Sequence, residues 1–368
     1  MRDPYDHDDD HGMRTGRGRA SLAPERVPMP SRRSRTARHP LVVFGNAIFT
    51  VLVLVGLLGG GAFVFVRENL EAPGPLEADK VVNIPAHKGV REIADILQEE
   101  GVVDRPLAFV VAALASRADL KFGEYQFQKQ VSVHDVIATL TEGKVLQHQL
   151  TLPEGLTSEQ IVVRLMDSDV LAGSIKDVPR EGSLLPESYR WPRGTLREQV
   201  VQRMRRERDR VLQEIWDHRE ADVPVRSPEE LVILASIVEK ETGRADERPR
   251  VAAVFVNRLK QHMRLQSDPT IIYGIAGGKG TLGRPITRGE IEQKTDYNTY
   301  VIPGLPRGPI CNPGRAALEA VARPARTREL YFVADGTGGH SFSETLDQHQ
   351  KAVEKLRERE REGARPSH

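Results

Sequence analysis

Ser227-Pro228-Glu229-Glu230-Leu231-Val232-Ile233-Leu234-Ala235-Ser236-Ile237-Val238-Glu239-Lys240-Glu241-Thr242-Gly243 joins a helix start, an uncharged run and an acidic end. Ser227 followed three residues later by Glu230 is a capping box, and Pro228 suits the first helical position. Leu231 to Val238 carry no charge, so the helix is apolar on every side and is predicted to be buried. Val232, Ala235 or Ser236, and Glu239 recur at helical spacing, so Glu239 continues a buried stripe. Glu241 lies about 200° further round the axis and is expected to face solvent. A carboxyl at the end of a buried helix loses hydration, which raises its pKa above the usual value of about 4.3. Such a group serves as a general acid and then, once ionised, as a base. The alternative is a structural ion pair with an arginine, the commoner fate of a buried glutamate.

Downstream, a helix is predicted over about 247–261, with Val251, Val254, Phe255 and Leu259 inward. Asp268 before Pro269 reads as a helix N-cap, and Gly274 as the end of that short helix. Tyr297-Asn298-Thr299-Tyr300 runs into a Pro/Gly-rich loop, where aromatic faces and amide groups suit sugar rings. Tyr331–Ala334 and His340–Phe342 read as a hairpin, followed by a last helix carrying His349. No His/Asp/Glu set has ligand-like spacing, so neither a metal nor another cofactor is expected. Cys311 is the single cysteine and has no nominated base, and Ser236 lacks a Gly-x-Ser-x-Gly setting, so neither reads as a nucleophile.

Upstream, Pro186–Pro192 reads as an aromatic loop, and a charged helix follows over about 196–219. A weak repeat precedes them. Ile84-Pro85-Ala86-His87-Lys88-Gly89 and Leu152-Pro153-Glu154-Gly155 each lead from a short strand through a turn into an amphipathic helix. Small α+β units of this shape resemble LysM-like carbohydrate-binding modules, and the pattern equally suits a spacer that binds nothing. Before residue 81 lies a linker, and before that Leu41 to Val66 runs without a charge, long enough to span a bilayer. Its length favours an uncleaved anchor, with a removable signal as the minor alternative. Eight arginines between Arg14 and Arg38 place the N-terminus in the cytoplasm. With Lys+Arg 53 against Asp+Glu 52, the net charge of +1 gives no reason to expect nucleic acid as a partner. The expected organisation is a disordered tail (1–40), a transmembrane helix (41–66), a linker (67–80), a LysM-like α+β domain (81–150), a mixed α+β catalytic domain (151–357) and a charged tail (358–368).

At Ala235-Ser236-Ile237-Val238-Glu239-Lys240-Glu241-Thr242 the sequence resembles the endolytic murein transglycosylases, the MltG or YceG-like family. The likeness continues through Val254–Leu259, Arg264-Leu265-Gln266-Ser267-Asp268-Pro269-Thr270, Tyr297–Tyr300, Gly304-Leu305-Pro306 and Tyr331–Ala334 with His340 and Phe342. Arg307 departs from it, standing where the family usually has a second proline. The resemblance implies cleavage of the β-1,4 bond between N-acetylmuramic acid and N-acetylglucosamine in nascent peptidoglycan strands, leaving a 1,6-anhydro end. By that likeness Glu239 is the acid and then the base, and Asn257, Gln266, Tyr297, Asn298, Thr299 and Tyr300 grip the saccharide. It also implies an inner-membrane enzyme with a periplasmic catalytic domain, working beside penicillin-binding proteins. A hydrolytic muramidase using Asp268 or Glu241 to activate water, and a non-catalytic peptidoglycan-binding scaffold, remain the alternatives.

Overall fold

A computed structural model of the chain describes residues 39–363. The expected basic tail lies outside the described residues except at its last two, as do residues 364–368. Two units part between Asn69 and Leu70. The first contributes most of α1 (Pro40–Glu71), the one helix among the described residues long and apolar enough to cross a membrane. It runs five residues past the expected span, to Glu71 in place of Val66. Arg67, Glu68, Leu70 and Glu71 are good helix formers, and Asn69 Nδ2 donates to the Phe65 carbonyl at 2.7 Å. The first five residues of the expected linker are therefore helical.

The second unit is mixed α+β and holds three hydrophobic cores. The first is built from β1 (Lys80–Ile84), α2 (Val90–Glu99), α3 (Pro106–Ala115), β2 (Gly123–Phe127) and α4 (Val133–Glu142). β1 and β2 pair antiparallel, Lys80 opposite Phe127 and Ile84 opposite Gly123. Alternation along both strands buries Val82, Ile84, Tyr125 and Phe127 against Leu97, Phe109, Val136 and Leu140. Ser132 Oγ accepts the Asp135 N–H to start α4, and Gly143 ends it with φ 71°.

The second core repeats the theme with β3 (Gln147–Thr151), α5 (Ser158–Met166), β4 (Ser188–Pro192) and α6 (Arg197–Asp217). β3 and β4 pair antiparallel, so the boundary expected at 150/151 falls inside a strand. The segment read as an aromatic loop is β4. Ser188 and Arg190 point out while Tyr189 and Trp191 are buried, the alternation of a half-covered strand. Arg197 is 8% exposed and closes this module: its guanidinium donates to the carbonyls of Leu165, Met166, Ser168 and Gly173 at 2.7–3.0 Å. Glu124 links the first two modules, bonded to His148 and, at 3.2 Å, to Arg193 Nε.

The third core surrounds α7 (Pro228–Glu241), with α8 (Arg248–Lys260), α9 (Asp268–Ala276), α10 (Arg288–Glu292) and α11 (Arg315–Ala322) following. The capping box forms only in part. Ser227 Oγ takes the Glu230 N–H, but the Glu230 carboxylate reaches back to the Arg226 N–H instead. All eight residues from Leu231 to Val238 are buried, as their uncharged run requires. α6, α8, α9 and α11 enclose them, with Phe255, Leu265, Ile310, Leu318 and Val321 in contact. The predicted hairpin is β5 (Tyr331–Ala334) with β6 (His340–Ser343), and Phe332 meets the Phe255 ring edge-on at 5.8 Å. α12 (Leu346–Gly363) continues past the expected domain end at 357.

Replacing Arg197 by Met leaves buried helix-end carbonyls without donors. It should cost roughly 3 kcal/mol, read as a lower denaturant midpoint with an unchanged slope.

Candidate active site

α7 stops at Glu241 because Thr242 turns extended (φ −143°), and its last turn sends two carboxyls to opposite sides. On one side the Glu239 side chain is 6% exposed. Its Oε2 accepts the Gly314 N–H at 2.9 Å, at the N-terminus of α11, and its Oε1 lies 3.7 Å from Arg248 Nη2. One glycine allows this packing: a Cβ on Gly314 would run into the Glu154 carboxylate, whereas one on Gly155 would only touch Glu239 Cγ. Glu154, from the repeated turn, thus comes up beside Glu239. Burial raises the Glu239 pKa. The Gly314 N–H, Arg248 and Lys240 oppose that rise, and the like charge of Glu154 adds to it.

Glu241 does not face open solvent as expected. Its carboxyl packs against the 265–300 segment, and Ser267 Oγ donates to Oε1 at 2.5 Å. Among the described residues no cation pairs with it within 4.0 Å. Burial raises its pKa, opposed first by the Ser267 hydroxyl; Asp268 adds to the rise, and His340 and Arg258 oppose it. Asp268 is not the expected cap. Ser267 holds the N-cap position of α9 yet spends its hydroxyl on Glu241, and Asp268 accepts the Tyr300 phenol at 2.6 Å.

The expected sugar-binding residues fall into two groups. Gln266 and Tyr300 lie on the Glu241 side: Gln266 is exposed, held at φ 52°, and donates its N–H to the Thr299 carbonyl at 3.2 Å. A left-handed non-glycine backbone is a strained arrangement of the kind kept where a side chain must be aimed. Tyr297 meets Tyr273 with the rings tilted by 59° and centroids 4.9 Å apart, and Tyr273 donates to Glu181. The other three are framework. Thr299 is fully buried, its Oγ1 2.8 Å from Thr270 Oγ1 and accepting the Ser267 N–H at 3.0 Å. Asn298 is 1% exposed and donates to the carbonyls of Glu290, Ile291 and Gln293. Asn257 donates to the carbonyls of Thr327 and Glu329, each at 3.0 Å, fixing the approach to β5. Thr299 and both ends of the Asn298 amide are satisfied inside the protein, while half-buried Asn257 commits its amide N–H groups to those carbonyls.

Several site residues carry no separate signal in the sequence. Ser267 stands inside a longer motif, and Glu154 inside a repeated turn. The Glu247–His340 pair (2.6 Å to Nδ1) and half-buried Glu181 join their partners only through folding. Cys311 is fully buried with its thiol pushed well up by burial, and Ser236 donates to Ile233 and accepts from Ile310, so both serve packing.

A mixed α+β domain that holds two desolvated carboxyls at the end of one buried helix is equipped for acid–base chemistry. The YceG-like family model matches residues 82–355, and the chain belongs to that family. A Bacillus subtilis protein curated as an endolytic murein transglycosylase is 29% identical over 337 residues, covering 81% of this chain and 91% of its own length. A Streptococcus pneumoniae protein of the same description is 28% identical over 348 residues; the match covers 80% of this chain but only 62% of that longer relative. The crystal structure of a YceG-like protein from Listeria monocytogenes is similar at 31% identity and TM-score 0.46, covering 75% of this chain and 99% of its own.

Two measurements check this geometry. Asn298→Ala should lower stability by roughly 2 kcal/mol through unsatisfied buried carbonyls, seen as a lower melting midpoint. Glu241 has a folded-state pKa above its unfolded value near 4.5, so ionising it costs stability as pH rises through the folded value. Glu241→Gln should therefore be more stable than the parent above neutrality. That gain should vanish below the unfolded value.

Proposed function

We propose that this chain is an endolytic peptidoglycan lytic transglycosylase that cuts the β-1,4 bond between N-acetylmuramic acid and N-acetylglucosamine in nascent strands. The observation that carries the reading is the Glu241 carboxyl: desolvated, held by one hydroxyl, unpaired with any cation among the described residues, and flanked by Gln266, Asp268 and Tyr300. The relatives' curated descriptions support the reaction class.

In this reading Glu241 gives its proton to the glycosidic oxygen as the C1–O4 bond breaks, and the N-acetylglucosamine side leaves with a free 4-hydroxyl. The carboxylate then takes the proton of the muramoyl 6-hydroxyl, whose oxygen closes on C1. No water is consumed, and one carboxyl ends as it began. The negative charge of Asp268 favours the protonated form before the cut. Ser267 fixes one oxygen and leaves the other for the substrate. Acid–base help of this kind is worth about 10²–10⁴-fold.

Glu239, the acid expected from the sequence, is the second reading, favoured by its own burial-raised pKa. Against it, one oxygen is tied to Gly314 and the other faces Arg248, a setting that favours a fixed carboxylate. Gln266, Tyr297 and Tyr300 remain the proposed sugar contacts. α1 serves as a single-pass inner-membrane anchor with its arginine-rich end in the cytoplasm and the enzyme in the periplasm. The first module is LysM-like and meets glycan, and synthases of the penicillin-binding type are the expected partners.

The test is digestion of uncrosslinked glycan by the full chain, by Glu239→Gln and by Glu241→Gln, with strand ends read by mass spectrometry. Internal cuts ending in 1,6-anhydro-muramic acid, kept in Glu239→Gln and reduced at least about 10²-fold in Glu241→Gln, are expected. The reverse pattern makes Glu239 the acid. Free reducing ends would establish a muramidase, and binding without cutting a scaffold.

A further inference from the structure

The first module carries an apolar face that none of its own elements covers. On α3, Leu107, Val111 and Leu114 are 72%, 63% and 62% exposed, and Phe122, just beyond the helix, is 65% exposed. The three helix positions stand at i, i+4 and i+7, so they form one stripe, while Phe109 and Ala113 on the opposite side fill the core. In the chain on either side of this stripe Arg105, Arg117 and Lys121 are exposed, as are Asp104, 3.6 Å from Arg105 Nε, and Asp119. Large apolar side chains rimmed by basic residues are the composition of a segment that lies in a lipid interface.

The chain also limits what this face can meet. Leu70 packs on the first core, the Gly74 N–H donates to the Gln130 carbonyl at 3.2 Å, and buried Leu76 accepts the Gln130 N–H at 2.9 Å. Gly74 is pressed so close that a Cβ there would lie 2.2 Å from the Val131 carbonyl oxygen. Only Ala72 and Pro73 separate the end of α1 from this fixed point, a reach of about 10 Å at full extension. A module tied so short to a membrane-spanning helix meets the adjoining lipid surface at high effective concentration, ahead of any free partner.

We infer that Leu107, Val111, Leu114 and Phe122 seat the first module on the outer surface of the membrane that α1 spans, with Arg105, Arg117 and Lys121 facing anionic headgroups. The inference rests on the proposed anchoring and adds a second, peripheral attachment that restricts how the enzyme domain swings above the bilayer.

The test uses the full chain in vesicles of phosphatidylethanolamine and phosphatidylglycerol. A single nitroxide label is placed through Val53→Cys, Val111→Cys, Leu114→Cys, Phe122→Cys or Asp347→Cys; Cys311 is fully buried and stays unlabelled. Collision with oxygen, which concentrates in lipid, is compared with collision with a water-soluble nickel chelate. The expected result is oxygen excess at 53, 111, 114 and 122, and nickel excess at 347. Adding Leu107→Ser, Val111→Ser and Leu114→Ser should turn the label at 122 severalfold toward nickel while leaving glycan cutting in solution and the melting midpoint intact. Lipid contact at 53 with water contact at 111, 114 and 122 would overturn the inference and leave the anchor standing. Water contact at 53 would overturn the anchor reading itself. Dipolar broadening between labels at 111 would show a second copy covering the face, which also overturns it.

Discussion

The burial of α7 is the constraint on which the enzyme domain depends. Its uncharged run cannot remain in water, so α6, α8, α9 and α11 close around it and its last turn is carried to the edge of the core. The acidic residues that follow therefore sit where hydration is lost on one side and polar partners arrive on the other. A carboxyl so placed is pushed toward its protonated form without any neighbour being designed to protonate it.

That single turn creates two different environments. Glu239 is drawn into the packing between the Leu152–Gly155 turn and the start of α11, where Gly314 makes room and a backbone N–H and an arginine hold it. Glu241 meets the Ser267–Thr299–Thr270 network, whose hydroxyls satisfy one another and leave a single donor for the carboxyl. Both pKa values rise for the same first reason, desolvation. What separates them is the use made of the oxygens. Two partners face the Glu239 oxygens, whereas a single hydroxyl donates to Glu241. Buried carboxyls alone are an ambiguous signature, and the count of remaining hydrogen-bond positions resolves it better than the shift.

The modules before the enzyme domain reuse one plan. Each pairs two antiparallel strands and covers them with helices, and each starts from the strand–turn–helix repeat. In the second copy the turn does more than connect. Its Glu154 and Gly155 reach the end of α7, so a packing unit supplies part of the wall beside Glu239. The Glu124–His148–Arg193 cluster couples the two copies; desolvation pushes the Glu124 carboxyl up, but its bonds to His148 and Arg193 outweigh that and hold it below its ordinary value.

Local pattern was enough for α7, the hairpin, the apolar N-terminal helix and the repeat, because periodicity, caps and uncharged runs act over neighbouring residues. The same pattern singled out Glu239 but read Asp268 only as a helix cap and left Gln266 to the family likeness. It misread Tyr189 and Trp191 as a loop, since the strand they form exists only through its pairing with β3, more than thirty residues earlier. It put Glu241 in solvent, because helical phase tells which side of α7 a residue takes and not what packs there. Asn257, Asn298 and Thr299 have the side chains of sugar-binding residues, and only the fold turns the two amides to backbone carbonyls and Thr299 to the Thr270 hydroxyl. Composition and spacing chose the residue types; long-range packing decided which polar atoms were already satisfied, and so which were left for a substrate.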